Sequence, residues 1–373
     1  MIVFIRSNPV VSDPRVSKEV RSLSTHGFKV TVLAWDRKGL CNKFESSDYG
    51  IVLRLRLPVP YAKAIVPVYY PFFWLWVLSK LLKIQPTIIH ACDIDTIFPA
   101  LLYRFLRRKT KVILDIFDSM AMMVLGRGHQ LLGTAVMCLE RFIVTIPDAL
   151  IAVSKGRLDL YNGVKLKTSE TIMNFPDLDF ITNLGKIRIV NRSEKTFRVV
   201  YAGVIWPYRG LTEVAEATKG INNIEFMVAG RIMDHAVFDS LMRFLHVAYC
   251  GELTFNESLA LESSADVLPV FYDLNSPSLR FLGLSPNKLY EAMMLGIPII
   301  TNLKSALQEA DCGIFAEYGD ISAIKKAMIY LKDHPDIRFR LGQNGKRAFE
   351  RNFNWKCMET KLIALYQELI NEG

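Results

Sequence analysis

The sequence predicts an α/β protein made of two doubly wound, parallel-sheet domains in tandem. Three observations carry this expectation. Short apolar runs rich in β-branched residues alternate with segments of helical spacing along nearly all of the 373 residues, as in parallel sheets covered by helices on both faces. The alternation halts once, in the polar stretch ITNLGKIRIVNRSEKTF that follows TIMNFPDLDF, and restarts at FRVVYAG, which marks a domain boundary. A composition of 51% hydrophobic and 22% charged residues supplies a substantial core, suits about two domains of roughly 100 to 200 residues, and excludes a disordered or low-complexity chain.

Taken in order, Ile2 to Ile5 reads as the first strand. MIVFIRSNP has no basic segment followed by a long apolar run, so it reads as a buried strand and not a signal peptide, with the mature chain expected to start at Met1. Arg6 to Val11 forms a loop, and a helix follows with Ser12 or Asp13 as its cap and Pro14 at its first position. Val16, Val20 and Leu23 recur at helical spacing, and Gly27 ends the helix. FKVTVLAW then completes a strand, helix, strand unit. TIIHACD, KVILDIFD and ALIAVSKG repeat it, and the second series runs FRVVYAG, IEFMVAGR, the short ELTF, ADVLPVFY and IPIITN. The last segment, FNWKCMETKLIALYQELI, is an amphipathic helix with Trp355, Met358, Leu362, Leu365 and Leu369 near one face. The domains are expected at residues 1–185 and 195–350, with 351–373 as a C-terminal helix packing back toward the first domain.

Two segments have an unusual composition. Ala64 to Ser79, AIVPVYYPFFWLWVLS, is 16 residues without a charge. It is shorter than the roughly 20 apolar residues that span a bilayer, and Pro67 and Pro71 are expected to break it. Its aromatics, flanked by Lys63, Lys80 and Lys83, suit either a membrane interface or a buried helix. The methionines of MAMMVLGRGHQLLGTAVMCLERFIV suit either an apolar acceptor channel or core packing.

The net charge of +9 is unevenly placed. Residues 1–190 carry 26 Lys and Arg against 15 Asp and Glu, a net +11, and the remainder is −2. A positive face attracts nucleic acid, anionic lipid or a phosphorylated substrate, and charge alone does not choose among them. Six scattered cysteines, Cys41, Cys92, Cys138, Cys250, Cys312 and Cys357, contain no C-x-x-C pair. They indicate neither a zinc site nor a disulfide framework, and they suit a reducing compartment.

Open parallel sheets bind ligands beyond the carboxyl ends of their strands. VVYAG runs into VIWPYRG, which places Gly203, Arg209 and Gly210 in a strand-to-helix loop where an arginine can clamp an anion. SPNKLYEAMMLGIPIITN carries the stronger signal. Ser285, Pro286 and Asn287 resemble a helix start and Gly296 a helix end, so Glu291 falls in the first or second turn. Its two acceptor oxygens suit the vicinal hydroxyls of a ribose. Lys288 and the N–H groups of Asn287 and Lys288 lie where a diphosphate would dock.

On these residues the chain resembles glycosyltransferase family 4, a group of retaining, nucleotide-sugar-dependent enzymes. The resemblance covers nearly the whole chain. It rests on RSNPVVSDPRVSKEVRSLSTHGFKVTVLAW, HACDIDT, LDIFDS, TIMNFPD, YAGVIWPYRGL and above all SPNKLYEAMMLGIPII. It implies the GT-B fold, two Rossmann-like domains facing each other across a cleft, the first binding acceptor and the second donor. Arg209 falls on the family's basic residue against the donor diphosphate, and Glu291 on the second glutamate of the E-x7-E motif, which binds the ribose. The motif's first glutamate would fall on Gly283, and a second basic residue near Val204. Arg231, after IEFMVAG, is the candidate to supply the missing charge. The family's sugar-contacting histidine would lie in LDIFDS, where Phe117 precedes Asp118.

The resemblance thus implies Arg209, Asp118 and Glu291 as catalytic residues and Gly203, Arg209, Gly210, Arg231, Ser285, Pro286, Asn287, Lys288 and Glu291 as the donor site. Asp13, Arg15, Asp95 and Asp118 are the expected acceptor site. The substrate would be a UDP- or GDP-sugar, with no cofactor and no metal, since the D-I-D at Asp93 to Asp95 lies in the acceptor half. The acceptor is expected to be lipid-linked or another glycan, and the enzyme cytoplasmic and peripheral at the inner, anionic face of a membrane. A catalytically weak homologue serving as a membrane-bound partner subunit is the alternative. No G-x-G-x-x-G follows any strand, which argues against a nicotinamide-dependent dehydrogenase, and no nucleic-acid recognition motif is present.

Overall fold

The computed structural model describes residues 1–11, 13–47, 50–59, 66–178, 196–276 and 286–371. The chain divides into two compact units, with a division between Asn174 and Phe175. Residues 358–371 belong to the first unit, although they follow the second in sequence. The polar stretch expected to hold the boundary falls largely on residues 179–195, outside the described residues.

In the first unit the strands are β1 (Ile2–Arg6), β2 (Val30–Asp36), β3 (Phe44–Ser47), β4 (Gly50–Arg56), β5 (Ile88–Cys92), β6 (Lys111–Ile116), β7 (Ala149–Ala152) and β8 (Ser169–Thr171). They form one sheet in the order β3-β4-β2-β1-β5-β6-β7-β8. Every neighbouring pair is parallel except β3 and β4. The central strands are buried along their length, as strands covered on both faces must be. The strand order turns back between β1 and β5, so a ligand crevice is expected beyond their carboxyl ends.

The helices are α1 (Pro14–Thr25), α2 (Val66–Ile84), α3 (Ile97–Leu106), α4 (Met120–Gly126), α5 (Gln130–Ile143) and α6 (Lys155–Leu158). Strand alternation sorts them between the two faces of the sheet. Val3, Ile5, Leu33 and Ile89 share one core with Phe73 and Val77 of α2, Ala100 and Tyr103 of α3 and Ile143 of α5. The opposite face is partly polar. There His90 stacks on Phe4 at 4.2 Å, and α1 sends in Arg15 and Glu19. The C-terminal helix Trp355–Asn371 covers that face with Leu362, Leu365, Tyr366 and Leu369 buried. Asp13 caps α1, accepting from the Val16 N–H, and Ser12, the other expected cap, lies outside the described residues. The prolines of the aromatic stretch do not break it. α2 starts at Val66, so Pro67 stands in the first turn, where its missing N–H has no intrahelical partner to lose, and Pro71 sits inside the helix.

In the second unit β9 (Phe197–Ala202), β10 (Ile224–Ala229) and β11 (Val247–Tyr249) form one parallel sheet, and β12 (Leu268–Val270), β13 (Ile299–Thr301) and β14 (Gly313–Phe315) another. A parallel bridge between Val199 and Val267 joins them. The order is therefore β11-β10-β9-β12-β13-β14, the doubly wound Rossmann arrangement, with its reversal between β9 and β12. Val199, Val214, Phe226, Val228, Val267, Ile300 and Ile324 build its core. ELTF is not a strand. β11 lies just before it, and Thr254 starts the next helix, Phe255–Ser263, through a capping box with Glu257.

Candidate functional site

At the reversal in the second unit, the loop after β9 and the chain after β12 come together. The loop is a 3-10 turn, Pro207–Arg209, ended by Gly210 at φ +65. Any side chain at Gly210 would be strained, and a Cβ there would come within 3.0 Å of Phe271 Cβ. The loop is tied down from outside: Asp273 N–H donates to Tyr208 O at 3.2 Å, and Tyr318 Oη to Pro207 O at 3.1 Å. The half-buried Arg209 guanidinium thereby lies over the Tyr272 ring, 4.4 Å from its centroid. Tyr272 is fixed in turn by Asn302, whose side chain accepts from its N–H at 3.1 Å and donates to its carbonyl at 2.7 Å.

Beside this pair lies a buried carboxylate–ammonium cluster. The helix Asn287–Leu295 carries Lys288 and Glu291, and the helix Phe255–Ser263 carries Glu262. Lys288 Nζ donates to Glu262 Oε1 at 2.9 Å and to Glu291 Oε2 at 2.5 Å. Glu262 is fully buried, and its second oxygen has no hydrogen-bond partner. Burial pushes its carboxyl up to about 8; Lys288 opposes the shift and the Glu291 charge adds to it. Burial thus disfavours negative charge on Glu262, and Lys288 and Arg209 stand as the fixed cations of the cluster. Gly203 leaves room for the Tyr201 ring, since a Cβ on it would lie 3.0 Å from the Tyr201 hydroxyl, which donates to Val204 O at 2.9 Å.

The other expected donor residues are spread around it. Pro286 is the buried N-cap position of Asn287–Leu295, Asn287 is exposed, and Gly296 closes the helix at φ +69. Arg231 is exposed after β10, and its carbonyl accepts from Ile205 N–H at 2.9 Å. Ser285 and Gly283 lie outside the described residues. Sequence reasoning missed Glu262 and Tyr272. The available signal for Tyr272 was its place just after the strand LPV; Glu262 gave none, because four consecutive buried residues, Leu259 to Glu262, obscure a helical period.

In the first unit the equivalent reversal is occupied by charge. Arg6, at the end of β1, pairs with Asp13 at 2.9 Å and with Asp93 after β5. Asp93 stands at φ 69, ψ 163, a conformation that costs a non-glycine residue about 1 to 3 kcal/mol. Its Oδ1 accepts from Phe117 N–H at 2.7 Å and Asp118 N–H at 3.2 Å. Burial raises its carboxyl to about 7, against the pull of Arg6 and with a push from Asp95. Phe117 lies under Arg6 at 4.2 Å and Arg15 at 4.9 Å. Asp118 is largely exposed and accepts from Arg157 at 3.2 Å. Asp95 accepts from Tyr70 Oη at 2.6 Å, and Arg37 holds that Tyr70 at 3.0 Å. Asp13, Asp95 and Asp118 thus gather around Asp93, which the sequence reading noted only as part of D-I-D.

Arg15 faces elsewhere. Its guanidinium is buried, bidentate to Asp115 at 2.9 Å for both bonds, and donates to Ile172 O at 2.6 Å. Glu19, His90 and Asp115 are a cluster spaced for a metal ion, but the Arg15 guanidinium already supplies the cation there, 3.2 Å from Glu19. Burial raises the Glu19 carboxyl well above the usual carboxylate range, against the pull of Arg15, and lowers the His90 imidazole below its usual range, so burial disfavours added charge on either group beside the Arg15–Asp115 pair. No helix among the described residues is long and apolar enough to cross a membrane.

No family model matches the chain. It is 22% identical over 239 residues to an uncharacterised glycosyltransferase of Methanocaldococcus jannaschii, covering 60% of this chain and 59% of that one. It is 23% identical over 243 residues to the MMP α-(1→4)-mannosyltransferase of Mycolicibacterium hassiacum, covering 62% and 56%. The chain thus spans about three fifths of the length of these curated relatives. Among solved structures, sucrose-phosphate synthase from Thermosynechococcus elongatus superposes over 100% of both chains at a TM-score of 0.79 and 16% identity. Anabaena HepE in complex with UDP and glucose covers 98% of this chain and 99% of its own, at 0.71 and 11%. With both units doubly wound and superposition over whole chains of such enzymes, the fold is GT-B.

Proposed function

We propose that the chain is a retaining glycosyltransferase of family 4 that moves a sugar from a nucleotide diphosphate to an acceptor hydroxyl without a metal. The observation that carries this reading is the preorganised cluster at the β9–β12 reversal, where Arg209 is held over Tyr272 and Lys288 is held between Glu262 and Glu291. Fixed cations there would stabilise the diphosphate as it leaves, a contribution of several kcal/mol in a dry site. Glu291 would take the ribose hydroxyls, and Gly203, Gly210, Arg231, Ser285, Pro286 and Asn287 would border the nucleotide. The similarity to HepE, crystallised with UDP and glucose, supports a UDP-sugar, with a GDP-sugar as the other donor to test.

In the first unit, Asp118 would meet the transferred sugar or the acceptor hydroxyl, with Asp13 and Asp95 binding acceptor and Arg15 holding the floor through Asp115. Front-face attack, with the departing phosphate oxygen taking the acceptor proton, requires no protein nucleophile. A lipid-linked or other amphiphilic acceptor at the cytoplasmic face of a membrane fits the net +11 of residues 1–190 and the aromatic helix α2.

Calorimetry with UDP and GDP tests the donor assignment. Arg209→Ala is expected to weaken nucleotide binding by about 1.5 to 3 kcal/mol, the loss of a charge-assisted phosphate contact. Unchanged affinity removes Arg209 from the site. Transfer to a lipid acceptor in excess EDTA, with the product anomer read by NMR, tests metal independence and retention together.

A further inference from the structure

A cavity of about 520 Å³ lies in the first unit, lined by Arg104, Phe105, Arg108, Lys111, Asp148 and Lys167 among others. Lys111 opens β6, Asp148 immediately precedes β7, and Lys167 precedes β8. The cavity is therefore at the amino-terminal edge of the sheet, opposite Asp93 and Asp118. Four cations face one carboxylate. Asp148 pairs with Arg104 at 3.2 Å and Lys167 at 2.9 Å, and by charge alone the lining has a positive excess suited to a phosphate monoester or diester.

The surroundings identify the source of that phosphate. α2, α3 and α5 cover the same face of the sheet, and their outer sides, which face water in an ordinary doubly wound domain, are apolar. Phe72 and Leu75 of α2, Phe105 of α3 and Leu131 and Phe142 of α5 are 61 to 92% exposed. Between Val66 and Leu114 the only acids are Asp93 and Asp95, at the far edge, while seven Lys and Arg are present. Lys80 and Lys83 end α2, and Arg104, Arg107, Arg108 and Lys109 end α3, so these charges sit at the cavity's end of both helices. An apolar face bordered on one side by cations fits an anionic bilayer, with acyl chains against the helices and headgroups at the basic end. A soluble protein partner would require complementary acids on a flat apolar surface and would leave the cavity without a function.

We propose that this cavity is a headgroup-phosphate site through which the first unit docks on an anionic membrane, its α2, α3 and α5 face lying in the interface. The inference rests on the membrane placement proposed above and adds the surface, the orienting residues and the lipid chemistry. The test is flotation with phosphatidylglycerol–phosphatidylcholine vesicles and with pure phosphatidylcholine vesicles, alongside UDP affinity on the same preparations. The wild-type chain is expected to float with the anionic vesicles and to release in high salt. Arg108→Glu, on an exposed side chain, is expected to weaken that binding about tenfold or more, and Leu131→Ser to weaken it through the apolar face, both with UDP affinity unchanged. Arg108→Glu binding like wild type would overturn the cavity assignment while leaving membrane placement intact. Equal flotation with neutral and anionic vesicles, or none with either, would overturn both, and UDP binding would still report separately on the donor site.

Discussion

Glu262 shows how one carboxyl sets the charge of a site. Its folded value of about 8 lies above the ordinary 4.5 because burial disfavours the anion. A carboxyl raised in this way stabilises the fold below its unfolded value and loses that contribution as pH climbs through its folded value. Between pH 4.5 and about 8 it subtracts up to about 1.4 kcal/mol per pH unit. Glu262→Gln cannot ionise, so urea midpoints taken from pH 5 to pH 8 are expected to rise for the variant relative to wild type. Parallel pH profiles would show that Glu262 is ionised throughout. Asp93 is the counterpart in the first unit. Asp93→Ala removes the acceptor of two N–H groups and a partner of Arg6 while leaving a non-glycine residue at positive φ, so a loss of about 3 kcal/mol is expected in denaturant titration. Arg209 and Glu291 were legible in the sequence because a strand, a glycine and a helix start place them locally. Glu262 was not, because its contact with Lys288 spans 26 residues and depends on which helices the sheet order brings together. Arg15 was misleading for a related reason: its position after a strand and a cap says nothing of the Asp115 it pairs with across the sheet.

At the scale of elements, the loop after β9 acts as a rigid bracket. Its length and Gly210 were readable from VIWPYRG, but its anchoring was not, since Tyr318 and Asp273 come from after β14 and β12. Gly210→Val imposes both the φ strain and the contact with Phe271. It is expected to cost about 1 to 2 kcal/mol in stability and to reduce nucleotide affinity by moving Arg209 off the Tyr272 ring. Full nucleotide affinity in a folded Gly210→Val protein would show that the loop's position does not govern donor binding. α2 teaches the opposite lesson. Two prolines suggested a broken segment, yet the helix runs Val66–Ile84, because Phe73, Val77 and Leu81 enter the core on one side and outweigh a missing backbone hydrogen bond.

Among the described residues, the core cluster around Val3 and Phe73 and the one around Val199 and Ile324 share no residue, and residues 358–371 return to the first unit. Tyr366, fully buried, reaches His90 Nδ1 at 2.7 Å across 276 residues of sequence. The helix that carries it was legible as amphipathic from its spacing, but neither that hydrogen bond nor the polar cluster beneath it has a sequence signature. A multidomain chain need not unfold in one step. Nucleotide is expected to stabilise only the second unit, by about 2.7 kcal/mol at a hundred times its dissociation constant, and to lose this effect in Arg209→Ala. Tyr366→Phe leaves the His90 nitrogen without its buried partner and is expected to lower only the first unit's stability, by about 1 to 3 kcal/mol. Hydrogen exchange separates the two, because β5 and β6 amides report on the first unit and β9 and β10 amides on the second. If UDP protected β5 and β6 as strongly as β9 and β10, or Tyr366→Phe exposed both sets equally, the units would be one cooperative body. The C-terminal helix would then be holding the whole chain and not the first unit alone.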